Sequence, residues 1–162
     1  MTRYLDTDGV PIPIPDRDTQ PYWDGTTRHQ LLVQHCQRCG QWIWQPRPLC
    51  PSCHFEHPQW EEIDGIGRVA SWAVPYPPVL PGFADVVPFV ILLVEFIIGV
   101  RMTGNLVDDH GALVHAEDRS AKALEIGSEV SLRWREQRGW TLPCWTLSGR
   151  GSALTDAPLT VS

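Results

Sequence analysis

Four cysteines constrain this chain more than any other feature. Cys36 and Cys39 enclose two residues, ten residues follow, and Cys50 and Cys53 enclose two more. Each Cys-x-x-Cys step is a tight turn that aims two thiolates at one point. Two such steps facing each other supply a tetrahedron of sulfurs with metal–sulfur distances of about 2.3 Å. Gly40 follows the first pair, where the turn needs a residue tolerant of positive φ, and Pro51 presets the backbone inside the second. Zn2+ is the expected ion, and iron fits the same donor set. The alternative is two disulfides. The chain shows no signal peptide, and Cys144 would be left odd, so a reducing, cytoplasmic setting is expected. Four thiolates close the coordination shell, so the metal is expected to hold the fold and do no chemistry. His35, His54 and His57 then stand beside the site or on the surface.

A chain of 162 residues suits one compact unit or two small lobes. The net charge of -6, with Lys122 the only lysine, is unfavourable for a protein that neutralises a nucleic-acid backbone, and no nucleic-acid partner is expected. The longest apolar run, Val86 to Val100, is interrupted by Pro88 and Glu95. It falls short of the ~20 residues of a membrane span, so no membrane partner is expected either.

The expected architecture is mainly β. Residues 1–28 form an extended, proline-rich segment and a short helix, with Asp16 or Asp18 as its cap, Tyr22 and Trp23 as anchors and Gly25 as its end. Residues 29–63 form a rubredoxin-like zinc ribbon. Its strands run over His29–Gln34 and through Trp42 and Trp44, and Trp42, Trp44, Phe55 and Trp60 shield it. Residues 64–148 read as five strands: Arg68–Val74, Phe89–Phe96 (apolar on both faces and therefore buried), Gly99–Val107, Ser128–Glu136 and Thr141–Leu147. A short helix over Ser120–Ile126 precedes the fourth. That order suggests a five-stranded Greek-key barrel, an OB-fold. Residues 149–162 are expected to form a mobile tail.

This order of parts resembles the zinc-ribbon/OB-fold acyl-CoA-associated proteins, long catalogued as a domain of unknown function. The stretches that carry the resemblance are Tyr22-Trp23-Asp24-Gly25, Cys36-Gln37-Arg38-Cys39-Gly40, Pro46-Arg47-Pro48-Leu49-Cys50-Pro51-Ser52-Cys53, Gly65-Ile66-Gly67-Arg68-Val69, Pro88-Phe89-Val90 and Gly99-Val100-Arg101-Met102-Thr103-Gly104-Asn105-Leu106. The chain departs from the pattern at His54 and at Ile97-Ile98. The first takes the place of a small residue, the second that of acidic residues in a hairpin turn. The resemblance implies a non-catalytic accessory subunit in a hetero-oligomer that handles acyl-CoA. Its partner would be a thiolase-like, sterol-carrier-type aldolase cleaving a β-hydroxyacyl-CoA, with a role in steroid side-chain degradation. A thiolase or a MaoC-like enoyl-CoA hydratase is the alternative partner.

Candidate residues follow from that reading. Arg68 and Arg101 could hold CoA phosphates near the barrel mouth, with Tyr76 and Phe83 lining an apolar path. Alternatively, both arginines decorate exposed strand faces. Tyr22, Trp23, Ile97 and Ile98 are candidate partner contacts, because isoleucines at a turn are unfavourable unless covered. Alternatively, that turn folds back on its own barrel. Asp108, Asp109 and His110, with His115, Glu117 and Asp118 close behind, form the most catalytic-looking cluster, but no nucleophile or oxyanion donor accompanies them. A solvated loop is the plainer reading. No catalytic residue is assigned. Competing functions are a single-stranded nucleic-acid binder of the OB type, an autonomous enzyme using Asp108 and His110, and a rubredoxin-like electron carrier.

Overall fold

The computed structural model describes residues 9–148. Helix α1 (Gln20–Thr27) is preceded by a turn that one carboxylate organises. Asp16 Oδ1 accepts from the N–H groups of Asp18 and Thr19, at 3.1 and 2.8 Å, and from the Thr19 hydroxyl at 2.6 Å. The Thr19 bonds hold the Asp16 carboxyl below its ordinary range. The helix cap is Thr19, so Asp16 acts one step earlier, on the turn itself. Gly25 does not end the helix, which runs on to Thr27. A Cβ at Gly25 would lie 2.8 Å from the Leu32 side chain, so the glycine permits close packing of helix on strand.

The ribbon is a three-stranded antiparallel sheet of β1 (Leu32–His35), β2 (Trp42–Ile43) and β3 (Gln59–Glu62), in the order β2-β1-β3. After it comes a closed barrel of β4 (Ile66–Ala73), β5 (Ile91–Glu95), β6 (Arg101–Leu106), β7 (Glu129–Gln137) and β8 (Trp140–Leu147), ordered β4-β5-β6-β8-β7. β6 and β8 pair in parallel and the other contacts are antiparallel, which is the OB-fold circuit. β5 is shorter than its apolar run. Phe89 makes only an isolated bridge to His115, and Phe96 opens the turn to β6, its N–H bonding to the Val100 carbonyl. β5 is not buried on both faces. Leu92 and Val94 are fully buried, whereas Ile91, Leu93 and Glu95 are half-buried. The helical turn α2 (Arg119–Lys122) precedes β7.

One hydrophobic cluster fills the barrel and continues through Tyr22, Leu31 and Val33 into α1 and the ribbon base, so the two lobes share a core. A second cluster lies against Cys144 on β8 and includes Val10, Val86 and Phe89. The proline-rich N-terminal segment is thus tied to the chain. Val10 is buried, and its Cγ2 would lie 2.6 Å from a Cβ placed on Gly82. Trp42, Trp44 and Trp60 pack toward the main core, and Phe55 is the aromatic ring packed on the knuckles. The tryptophans therefore join ribbon to barrel rather than shielding the metal site.

Candidate metal centre and the barrel surface

The knuckles are built by the backbone. Gly40 N–H bonds to the Cys36 carbonyl at 2.8 Å, and His54 N–H bonds to the Cys50 carbonyl at 3.0 Å. Gly40 and His54 occupy corresponding positions, with φ of 73° and 57°. His54 therefore stands where the turn demands the left-handed region, and this is the physical content of its departure from a small residue.

The four Sγ atoms lie within 4.8 Å of one another, with Cys36–Cys53 and Cys39–Cys50 each at 3.6 Å. A tetrahedron with metal–sulfur bonds of about 2.3 Å has sulfur–sulfur edges of about 3.8 Å. The set therefore fits a tetrahedral ion, and all five cysteines are free of disulfides. Burial raises the Cys36 thiol, but backbone N–H groups of Cys39 and Arg38 and neighbouring sulfurs outweigh it, bringing the pKa down to about 6. Cys39 is pushed up to about 12. There the Gln41 N–H lowers it, while burial and the other sulfurs prevail. Zn2+ in this site would neutralise the thiolates and cross-link β1, β2 and the second knuckle. His35 is not a ligand. Its Nδ1 meets Glu61 Oε1 at 2.8 Å and its ring stacks on Trp42 at 4.3 Å.

The candidate CoA residues are not gathered. Arg68 pairs in register with Glu95 and Glu95 with Arg101, so the three form one row across β4, β5 and β6. Arg101 is ion-paired with Glu95 at 3.1 Å, and Arg68 Nη1 donates to the Gly127 carbonyl. Tyr76 follows the far end of β4, at the row where Ala73 meets Ile91, and Phe83 packs on Phe89 in the second cluster. Four residue steps of β5 separate the rows, about 13 Å at the rise of a strand.

The partner candidates also divide. Tyr22 is buried, its ring against Trp23 and Trp44, and Trp23 packs edge-on against Trp140. Ile98 folds onto the core, whereas Ile97 is 98% exposed at the hairpin tip. Asp108 Oδ1 accepts from His110 and Ala112 N–H groups, and Asp118 Oδ2 from His115 N–H, so these carboxylates serve as turn formers. Cys144 is buried and its thiol is pushed up to about 11 by desolvation. No helix among the described residues is long and apolar enough to cross a membrane.

A four-cysteine ribbon on a closed five-stranded barrel defines a zinc-ribbon/OB-fold protein. The ChsH2 rubredoxin-like zinc ribbon domain matches residues 23–57 and the ChsH2 C-terminal OB-fold domain matches residues 60–135. A DUF35 domain-containing scaffold protein of Methanothermobacter thermautotrophicus is 30% identical over 112 residues, 68% of this chain and 76% of that protein. The chain belongs to this ChsH2/DUF35 family. The 3-oxo-4,17-pregnadiene-20-carboxyl-CoA hydratase alpha subunit of Mycobacterium tuberculosis is 33% identical over 141 residues, 87% of this chain but 41% of that subunit, so the chain spans about two fifths of it. Among solved structures, the Ltp2-ChsH2(DUF35) aldolase superposes with a TM-score of 0.70 at 30% identity, covering 84% of this chain and 98% of that one.

Proposed function

We propose that this protein is a non-catalytic accessory subunit of an acyl-CoA-processing complex whose partner is a thiolase-like aldolase. The observation that carries this reading is the likeness to the Ltp2-ChsH2(DUF35) aldolase, where 98% of the matched chain is covered. Retro-aldol cleavage of a β-hydroxyacyl-CoA breaks the Cα–Cβ bond. The β-hydroxyl gives up its proton to become a carbonyl, and the thioester enolate takes one up. The base and acid for those transfers belong to the partner in this reading, since Asp108 and Asp118 are spent on turns and Cys144 is buried. Ile97, at the tip of a hairpin whose other isoleucine is packed, is the residue this account assigns to the partner surface. A steroid thioester as substrate is supported by the pregnadiene carboxyl-CoA in the name of the 33%-identical hydratase subunit. That relative also supports a second reading, in which a hydratase subunit is the partner.

Co-expression with a thiolase-like subunit tests this reading, with a MaoC-like hydratase subunit as the comparison. The reading expects a stable complex with the first and cleavage activity that needs both chains. Activity of this chain alone on an acyl-CoA, or assembly with the hydratase only, would overturn it.

A further inference from the structure

The four cysteines meet solvent unequally. Gln37 to Gln41 are exposed without a break, and Cys39 stands in the middle of that run. A Cβ placed on Gly40 would meet nothing within 4 Å, so the space beside Cys39 is open. Cys36 and Cys50 are fully buried. Cys53 is half-buried and packs, with Phe55, against the small cluster of Cys36, Ile43 and Cys50. The Sγ of exposed Cys39 lies 3.6 Å from that of buried Cys50.

Holding a metal does not require this asymmetry. Oxidation uses it. An accessible thiolate meets the oxidant, and a protected thiolate behind it resolves the product as a disulfide. The two sulfurs need to close only from 3.6 Å to about 2.0 Å to be bonded. Cys39 belongs to the first knuckle and Cys50 to the second, so a bond between them takes one metal ligand from each.

We propose that Cys39 is a peroxide-reactive site, and that its oxidation to a Cys39–Cys50 disulfide releases the metal and unlocks the ribbon. In the first step the Cys39 thiolate attacks an oxygen of hydrogen peroxide. An S–O bond forms, the O–O bond breaks and hydroxide leaves, so Cys39 becomes a sulfenic acid. The Cys50 thiolate then attacks the Cys39 sulfur. The S–S bond forms, the S–O bond breaks and a second hydroxide leaves. Two sulfurs give up two electrons, the peroxide takes them, and two protons from solvent turn the hydroxides into water. Cys36 and Cys53 remain as thiolates, and two ligands in place of four no longer hold Zn2+ in the ribbon. Leu31 and Val33 belong to the core that the ribbon shares with the barrel, so the loss is felt there too. Cys144 takes no part, being buried in the second cluster on the barrel.

The test treats the zinc-loaded full chain with hydrogen peroxide. A chromophoric chelator follows zinc release, and peptide mapping at partial release reads which cysteines are oxidised. Release of the bound zinc is expected, with a Cys39–Cys50 disulfide in the released protein and with binding restored by dithiothreitol and Zn2+. Cys39→His replaces the sulfur with an imidazole that also suits zinc, and should slow release by about tenfold or more. Cys144→Ala should release zinc at the wild-type rate. The wild-type mapping decides the matter even where Cys39→His fails to bind zinc. A bridge that omits Cys39, or joins it to Cys36 or Cys53, overturns the proposal. So does zinc retained after Cys39 is oxidised, Cys39 left reduced by peroxide that fully oxidises free glutathione, or zinc-loaded Cys39→His releasing as fast as wild type.

Discussion

Gly104→Ala probes how the barrel closes. Gly104 lies on β6 just before the short parallel pairing with β8, where Asn105 meets Cys144 and Leu106 meets Trp145. A Cβ built there would stand 2.7 Å from Trp145 Nε1 and 2.9 Å from the Pro143 carbonyl oxygen. Neither neighbour can yield cheaply. Trp145 is fully buried, and Pro143 contributes backbone paired with Trp134 of β7. Overpacking of this kind costs about 1–3 kcal/mol. The lower chain entropy of unfolded alanine returns about 0.4–1 kcal/mol. A net loss of about 1–2 kcal/mol follows, read as a lowered urea midpoint with unchanged slope and a Tm lower by about 3–6 °C. Trp145 Nε1 is buried without a partner among the described residues, so Trp145→Phe removes the clashing atom and sacrifices no hydrogen bond seen there. The double variant should therefore recover part of the loss, with a coupling of about 1 kcal/mol. A neutral or stabilising Gly104→Ala, or strict additivity with Trp145→Phe, would refute this description of the seam.

Other consequences are as direct. His54→Gly should leave stability unchanged or raise it by up to about 1 kcal/mol, because it relieves a left-handed residue, while His54→Val should lower it; chemical denaturation separates the two. Cys144 ionises at about 11 when folded against about 9 when unfolded. A raised acid pKa means that the native state holds its proton longer, so its stability contribution is intact below pH ~9 and is lost between pH ~9 and ~11, by about 2–3 kcal/mol. Cys144→Ala should flatten that part of the stability–pH curve, and an unchanged slope would assign the effect elsewhere. Val10→Asp should loosen the N-terminal segment without unfolding the barrel, seen as faster hydrogen exchange at Gly82 and Val86; unchanged exchange would contradict the packing of Val10 against that segment.

The parts of the fold that were legible in the sequence are those where one local rule dominates. Two Cys-x-x-Cys steps fix the knuckles whatever surrounds them. Val130, Leu132 and Trp134 alternate with Ser131, Arg133 and Arg135, and in β7 the first three pack on the core, although Ser131 and Arg135 are half-buried as well. Other features depended on tertiary context. Gly25 looks like a helix stop, but it is a packing notch for Leu32, and only the approach of β1 decides between the two. β3 has no alternation to reveal it, because Trp60 serves the shared core while Glu61 turns to His35 and Gln37. Arg68 and Arg101 look like a pair in a list of arginines, but strand register places Glu95 between them and sets Tyr76 and Phe83 at the far end of the sheet. Gln34 carries no motif at all. Its buried amide is oriented by the Arg47 N–H, which donates to Oε1 from across a loop, thirteen residues away.

Metal content of natively purified chain bears most directly on the account, since the shared core of ribbon and barrel depends on the ribbon being held. One zinc per chain is predicted. Chelation should unfold β1–β3 and, through the shared core, lower the amide protection of β4–β8 as well, and Cys50→Ser should reproduce that state. Protein free of zinc and iron that nonetheless shows an intact ribbon, or cysteines joined as Cys36–Cys53 and Cys39–Cys50 disulfides, would contradict it.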